Sequence, residues 1–87
     1  MHETGLVRDL VRQMERVARE NGAKRVSGAT IWLGALSHLT PAHFREHFAI
    51  ESRGSLAEGA RLAVTASDDT GHADAQHLRL DSLDREV

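Results

Sequence analysis

Leu6, Val7, Leu10, Val11, Met14, Val17 and Ala18 recur at the three- and four-residue spacings of a helix and fall on a single apolar stripe. Arg8, Asp9, Arg12, Glu15, Arg16 and Arg19 lie mostly off it. The spacing predicts an amphipathic helix over residues 5–20, with Thr4 as its N-cap and Gly22 as the residue that ends it. One such face is not stable alone; it must be laid against other elements. The chain has 87 residues in which to supply them, enough for one domain, 1–87. The only aromatics are Trp32, Phe44 and Phe48, so the core must be built from Leu, Val, Ile and Ala. A domain of this size buries only about 60–65% of its unfolded surface. Dimerisation through an uncovered sheet edge is therefore an expectation.

The remaining elements follow from local signals. Residues 24–34 read as a strand, with Val26, Ile31, Trp32 and Leu33 as β-formers and Gly34 ending the run. Apolar side chains on both faces mark it as central, and Gly28 marks a bulge or a close backbone approach. Thr40-Pro41 is a helix start, a capping residue followed by proline at the first helical position. That helix should run to about residue 52, with Phe44 and Phe48 on its buried side and Arg53-Gly54 closing it. Residues 55–59 form a connector, in which Glu58 reads as a structural residue. Leu62, Val64 and Ala66 alternate along a strand at about 60–67, and residues 68–76 hold no large apolar side chain and read as a loop. A last strand covers about 77–86, where Leu78 and Leu80 share a face and Leu83 changes parity, as a bulge near Asp81-Ser82 would produce. The last two strands are expected to pair antiparallel across the loop. The fold class is α+β: two helices on a small three-stranded sheet, in the order α-β-α-β-β.

Several function classes fall away. The formal net charge is −2, with no basic footprint for nucleic acid and no polybasic membrane patch. No cysteine is present, which removes disulfides, thiol catalysis and cysteine-based zinc sites. The first twenty residues are too charged for a signal peptide or membrane span, so the cytoplasm is the expected location. No nucleophile–base arrangement, phosphate loop or carboxylate pair indicates an enzyme.

What remains is the chain's beginning. Met1, His2 and Glu3 place an amine, an imidazole, a carboxylate and backbone amides within three residues, a donor set suited to Ni(II) or Cu(II). The predicted helix follows at once and anchors it.

This MHE start, the amphipathic helix, GAKRV, a strand ending in LGALS, the Thr-Pro-capped helix and RGSLAEGARL together resemble the HypA/HybF family of nickel-insertion proteins. The likeness runs through residues 1 to about 67 and resumes in LRLDSLDREV. It implies a metallochaperone for [NiFe]-hydrogenase maturation, with urease as a further recipient. It also implies Ni(II) held by the His2 imidazole and backbone nitrogens, with Met1 and Glu3 as neighbours in the site. Implied partners are a HypB-like maturation GTPase and a hydrogenase large-subunit precursor. Family members insert a zinc subdomain with paired CxxC motifs between the last two strands. Here residues 68–76 stand in that place, so no zinc site is expected. An alternative is an interaction module that keeps the fold and docks those partners without delivering metal.

The other histidines are weaker candidates. His43 and His47 lie four apart on the second predicted helix and could chelate a divalent metal, although an exposed pair of surface histidines is the simpler reading. His38 reads as a loop residue. His72 and His77 flank the short loop; the resemblance implies that this part of the molecule lies near the N-terminus, where one of the two could complete a metal site.

Overall fold

The computed structural model describes residues 3–87, with side chains from Thr4 onward. Its elements are α1 (Glu3–Glu20), β1 (Arg25–Leu33), α2 (Pro41–Glu51), β2 (Arg61–Ala66) and β3 (Leu78–Glu86). Both helices pack on one face of a three-stranded sheet, the α+β class and element order expected.

The α1 stripe is the core's largest contribution: Val7, Leu10, Val11, Met14 and Ala18 are all buried. The helix ends in a Schellman closure. The Gly22 amide donates to the Arg19 carbonyl, the Ala23 amide to the Ala18 carbonyl, and Gly22 has φ +68°. Its start differs from expectation. Helical geometry already holds at Glu3, so Thr4 sits inside the first turn and is not the N-cap. In α2 the predicted cap is present: Thr40 Oγ1 accepts the His43 amide at 3.1 Å, and Pro41 opens the helix. Phe44 and Phe48 are buried with ring centroids 5.9 Å apart. Glu58 has the structural role read from the sequence, accepting the Gly54 amide at 2.9 Å.

The sheet order is β2-β1-β3. The expected β2–β3 hairpin is wrong. β2 pairs parallel with β1, with α2 as the crossover helix between them, and β3 pairs antiparallel along β1's other edge. The segment after β2 therefore crosses the end of β1 instead of turning back. Gly34 makes that crossing close: a Cβ there would lie 2.3 Å from the Ala75 carbonyl oxygen. Two backbone bonds fix the crossing, from the Gly34 amide to the His77 carbonyl and from the Leu36 amide to the Ala75 carbonyl.

β1 is central, as its sequence predicts. Both expected irregularities occur. Thr30 pairs with Ser82 and Ile31 with Leu80, leaving Asp81 as the extra residue of a bulge. Val26 pairs with Arg85 and Gly28 with Asp84, leaving Ser27 as the extra residue beside Gly28. With these insertions Leu78, Leu80 and Leu83 all pack against the core. The sheet's other face carries no helix; Trp32 lies there, with the His72 ring tilted against it at 4.8 Å between centroids and the Arg79 guanidinium 4.5 Å from the ring centre.

Candidate metal centre

Met1 and His2 lie outside the described residues, as does the side chain of Glu3, so the geometry of that tripeptide is not part of the structure. What the structure does describe is the turn directly after it. Thr4, Gly5 and Leu6 are half-buried in the first turn of α1, which is seated on the rest of the fold through Val7 and Leu10. The helix that the sequence places directly after the tripeptide is thus present and packed.

Three histidines from different parts of the chain border this turn. His47, from α2, brings Nδ1 to 3.5 Å from Thr4 Oγ1. His38, from the β1–α2 loop, lines a groove with Leu6, Leu36, Ser37 and Gln76. His77, just before β3, lines a second groove with Leu6, Asp9, Leu10, Gln13 and Leu78. His38 has φ +64°, a left-handed conformation that histidine adopts more readily than most side chains. Its neighbour Ser37 is buried and donates from Oγ to the Gly34 carbonyl at 2.7 Å.

The two histidines flanking the loop are separated by the sheet. His77 is beside α1, whereas His72 lies tilted against Trp32 at the helix-free face, where its Nδ1 accepts the Asp74 amide at 2.9 Å. Of these two, His77 is the one placed beside the α1 turn. The α2 pair also divides. His43 is exposed, but His47 is half-buried against α1 and is not the free surface histidine that the simpler reading supposed. Among the described residues no three His, Asp or Glu side chains converge in a metal-holding group.

Ion pairs hold the surroundings in register. Arg8 Nε donates to Glu51 Oε1 at 2.8 Å, joining α1 to the end of α2, and that hydrogen bond, reinforced by the carboxylate's charge, raises the arginine's pKa above its ordinary value. Glu15 Oε2 accepts the Leu56 amide at 3.2 Å and so ties the connector before β2 to α1. Arg45 reaches from α2 to the Leu62 carbonyl at 3.0 Å. These side-chain ties link segments far apart in sequence, and no local spacing signals them.

The chain matches the family described as "Hydrogenase/urease nickel incorporation, metallochaperone, hypA" over residues 1–74. Among curated relatives, the hydrogenase maturation factor HypA of Methylocella silvestris is 39% identical over 64 residues, 74% of this chain and 57% of that protein. The factor of the same name from Archaeoglobus fulgidus is 32% identical over 65 residues, 75% of this chain and 59% of that protein. The chain thus spans less than two thirds of the length of these relatives. The solution structure of the Ni metallochaperone HypA from Helicobacter pylori superposes with a TM-score of 0.81 at 20% identity, covering 99% of this chain and 98% of that one. At that identity the likeness concerns the fold, and it extends through β3, beyond the last residue of the family match.

Proposed function

The chain belongs to the HypA family of hydrogenase and urease nickel-incorporation metallochaperones, and on that premise we propose that it is a Ni(II) carrier, not an enzyme, that holds its cargo at Met1, His2 and Glu3. The observation that carries the reading is the family match beginning at residue 1 and running through the helix that opens at Glu3. The His2 imidazole and backbone nitrogens supply nitrogen donors of the kind that Ni(II) favours in a planar arrangement. Glu3 contributes its amide nitrogen or hydrogen-bonds from its carboxylate to a ligand. A further donor comes from water, the backbone, or one of the two histidines that share grooves with Leu6, His38 and His77.

In this reading residues 1–87 form one nickel-binding unit, and residues 68–76 stand where the family places its zinc lobe. Delivery is to a hydrogenase large-subunit precursor, or to urease, in concert with a maturation GTPase. The cytoplasm is where such delivery takes place; among the described residues no helix is long and apolar enough to cross a membrane.

Calorimetric titration of tag-free protein with Ni(II), repeated on His2→Ala, tests the site. The equivalent of nickel held at the N-terminal residues should be lost in the variant. Binding there should also weaken as pH falls, because protons compete with the metal for the imidazole and backbone nitrogens. Equal binding by His2→Ala and the parent protein overturns the assignment.

A further inference from the structure

A second set of metal-ligating groups lies on α2. His43 and His47 are four residues apart, so their side chains stand one above the other on the same helix face. Imidazoles at this spacing can share one metal ion. Sequence spacing alone leaves such a pair ambiguous, because a fraying helix or a rotated ring destroys the geometry. The structure answers the first, and for His47 it supplies a contact that orients the ring.

The turn joining the pair is pinned. Thr40 Oγ1 caps the His43 amide, the Phe44 amide donates to the Thr40 carbonyl at 2.9 Å, and Phe44 and Phe48 anchor both turns in the core. The His47 ring is oriented as well. Its Nδ1 lies 3.5 Å from Thr4 Oγ1 on α1, and the tautomer that donates from Nδ1 to that hydroxyl is the one that presents the Nε2 lone pair to an ion. Metal-bound histidines are commonly held in this way, one ring nitrogen on an oxygen and the other on the ion. His43 is exposed, so a hydrated ion reaches it without desolvating the core. Arg45, the one cation between the two in sequence, is drawn away to the Leu62 carbonyl.

We propose that His43 and His47 form a separate divalent transition-metal site that takes Ni(II) or Zn(II) through two imidazole nitrogens, with water in the remaining positions. Imidazole suits both ions. Because no third His, Asp or Glu among the described residues joins the pair, the site is open and exchanges its ion readily. It lies against the first turn of α1, through the His47–Thr4 contact.

The test uses the full chain with Gly-Ser placed ahead of Met1 and His2→Ala, a background that removes the N-terminal donors, so its outcome is independent of the nickel site proposed above. Titration with Ni(II) alone should show one equivalent bound, with NMR signals of His43 and His47 broadened first. His43→Ala, at an exposed position, should abolish this binding while the circular dichroism spectrum is unchanged. Adding Ala42→His to His43→Ala restores the number of imidazoles but not their spacing and should not restore binding. Absence of nickel binding in the parent background overturns the proposal, as does binding unaltered by His43→Ala or recovered by Ala42→His.

Discussion

Gly34 carries more of this fold than its lack of a side chain suggests. It is buried where the segment leading to β3 crosses the end of β1, and a Cβ would lie 2.3 Å from the Ala75 carbonyl oxygen and 2.6 Å from that of Asp74. Those are backbone atoms, which cannot swing aside as a side chain would. Gly34→Ala should destabilise the protein by about 3 kcal/mol or more, at or above the upper end of ordinary overpacking, because the crossing itself must shift. Gly22→Ala is the contrast. A Cβ there meets nothing within 4 Å, and the cost is that of a left-handed φ alone, about 1–2 kcal/mol. Urea denaturation of both variants separates the two causes; equal losses would mean that the crossing can yield. From the sequence Gly34 is legible only as a strand end. Its closeness to Ala75 depends on a path that no neighbouring residue encodes.

At the scale of elements, the bulge in β3 is both legible and testable. Leu78 and Leu80 share a face, and strict alternation would put Leu83 on the opposite one, so an extra residue between them was readable from apolar parity alone. The structure assigns that residue as Asp81, whose carboxylate accepts from Arg79 Nε at 2.6 Å and raises the guanidinium's pKa. Deleting Asp81 forces one flank of β3 to present its leucines to the helix-free face. The expected result is loss of cooperative thermal unfolding and collapse of the amide NMR dispersion, whereas Asp81→Ala, which keeps the count, should retain both. The helices and the central place of β1 were equally legible, because each is written in local periodicity and capping chemistry. The partner of β3 was not. Parity states which face a strand buries but not which edge it joins, and the loop length admits a hairpin as readily as a crossing. The N-terminal donors lie outside the described side chains, and the grouping of His38, His47 and His77 around the first turn of α1 arises from three connections that only the folded chain brings together.

For the whole molecule, the question is whether the fold stands without metal. A structural zinc site closes four ligands around the ion, and the domains built on one unfold when it is removed. This chain has no cysteine to offer such a site. Its core is instead closed by side chains from all five elements: Val7, Leu10 and Met14 of α1 meet Ile31 and Leu33 of β1 and Phe44 and Phe48 of α2, with Leu62, Val64, Leu78, Leu80 and Leu83 packed from the outer strands. No buried side-chain nitrogen or oxygen among the described residues lacks a hydrogen-bond partner. In the proposed reading, metal is then cargo, bound to a scaffold already formed. Protein stripped with a chelator should melt cooperatively at the same temperature as untreated protein in metal-free buffer. Nickel, added back, should raise the midpoint only by mass action, about 2.7 kcal/mol at one hundred times its dissociation constant, and His2→Ala should remove the part of that rise owed to the N-terminal site. For a domain of this length 1 kcal/mol corresponds to about 4–8 °C, so a midpoint lowered by that much or more on stripping alone would reveal an ion holding the fold together and overturn the separation of scaffold from cargo.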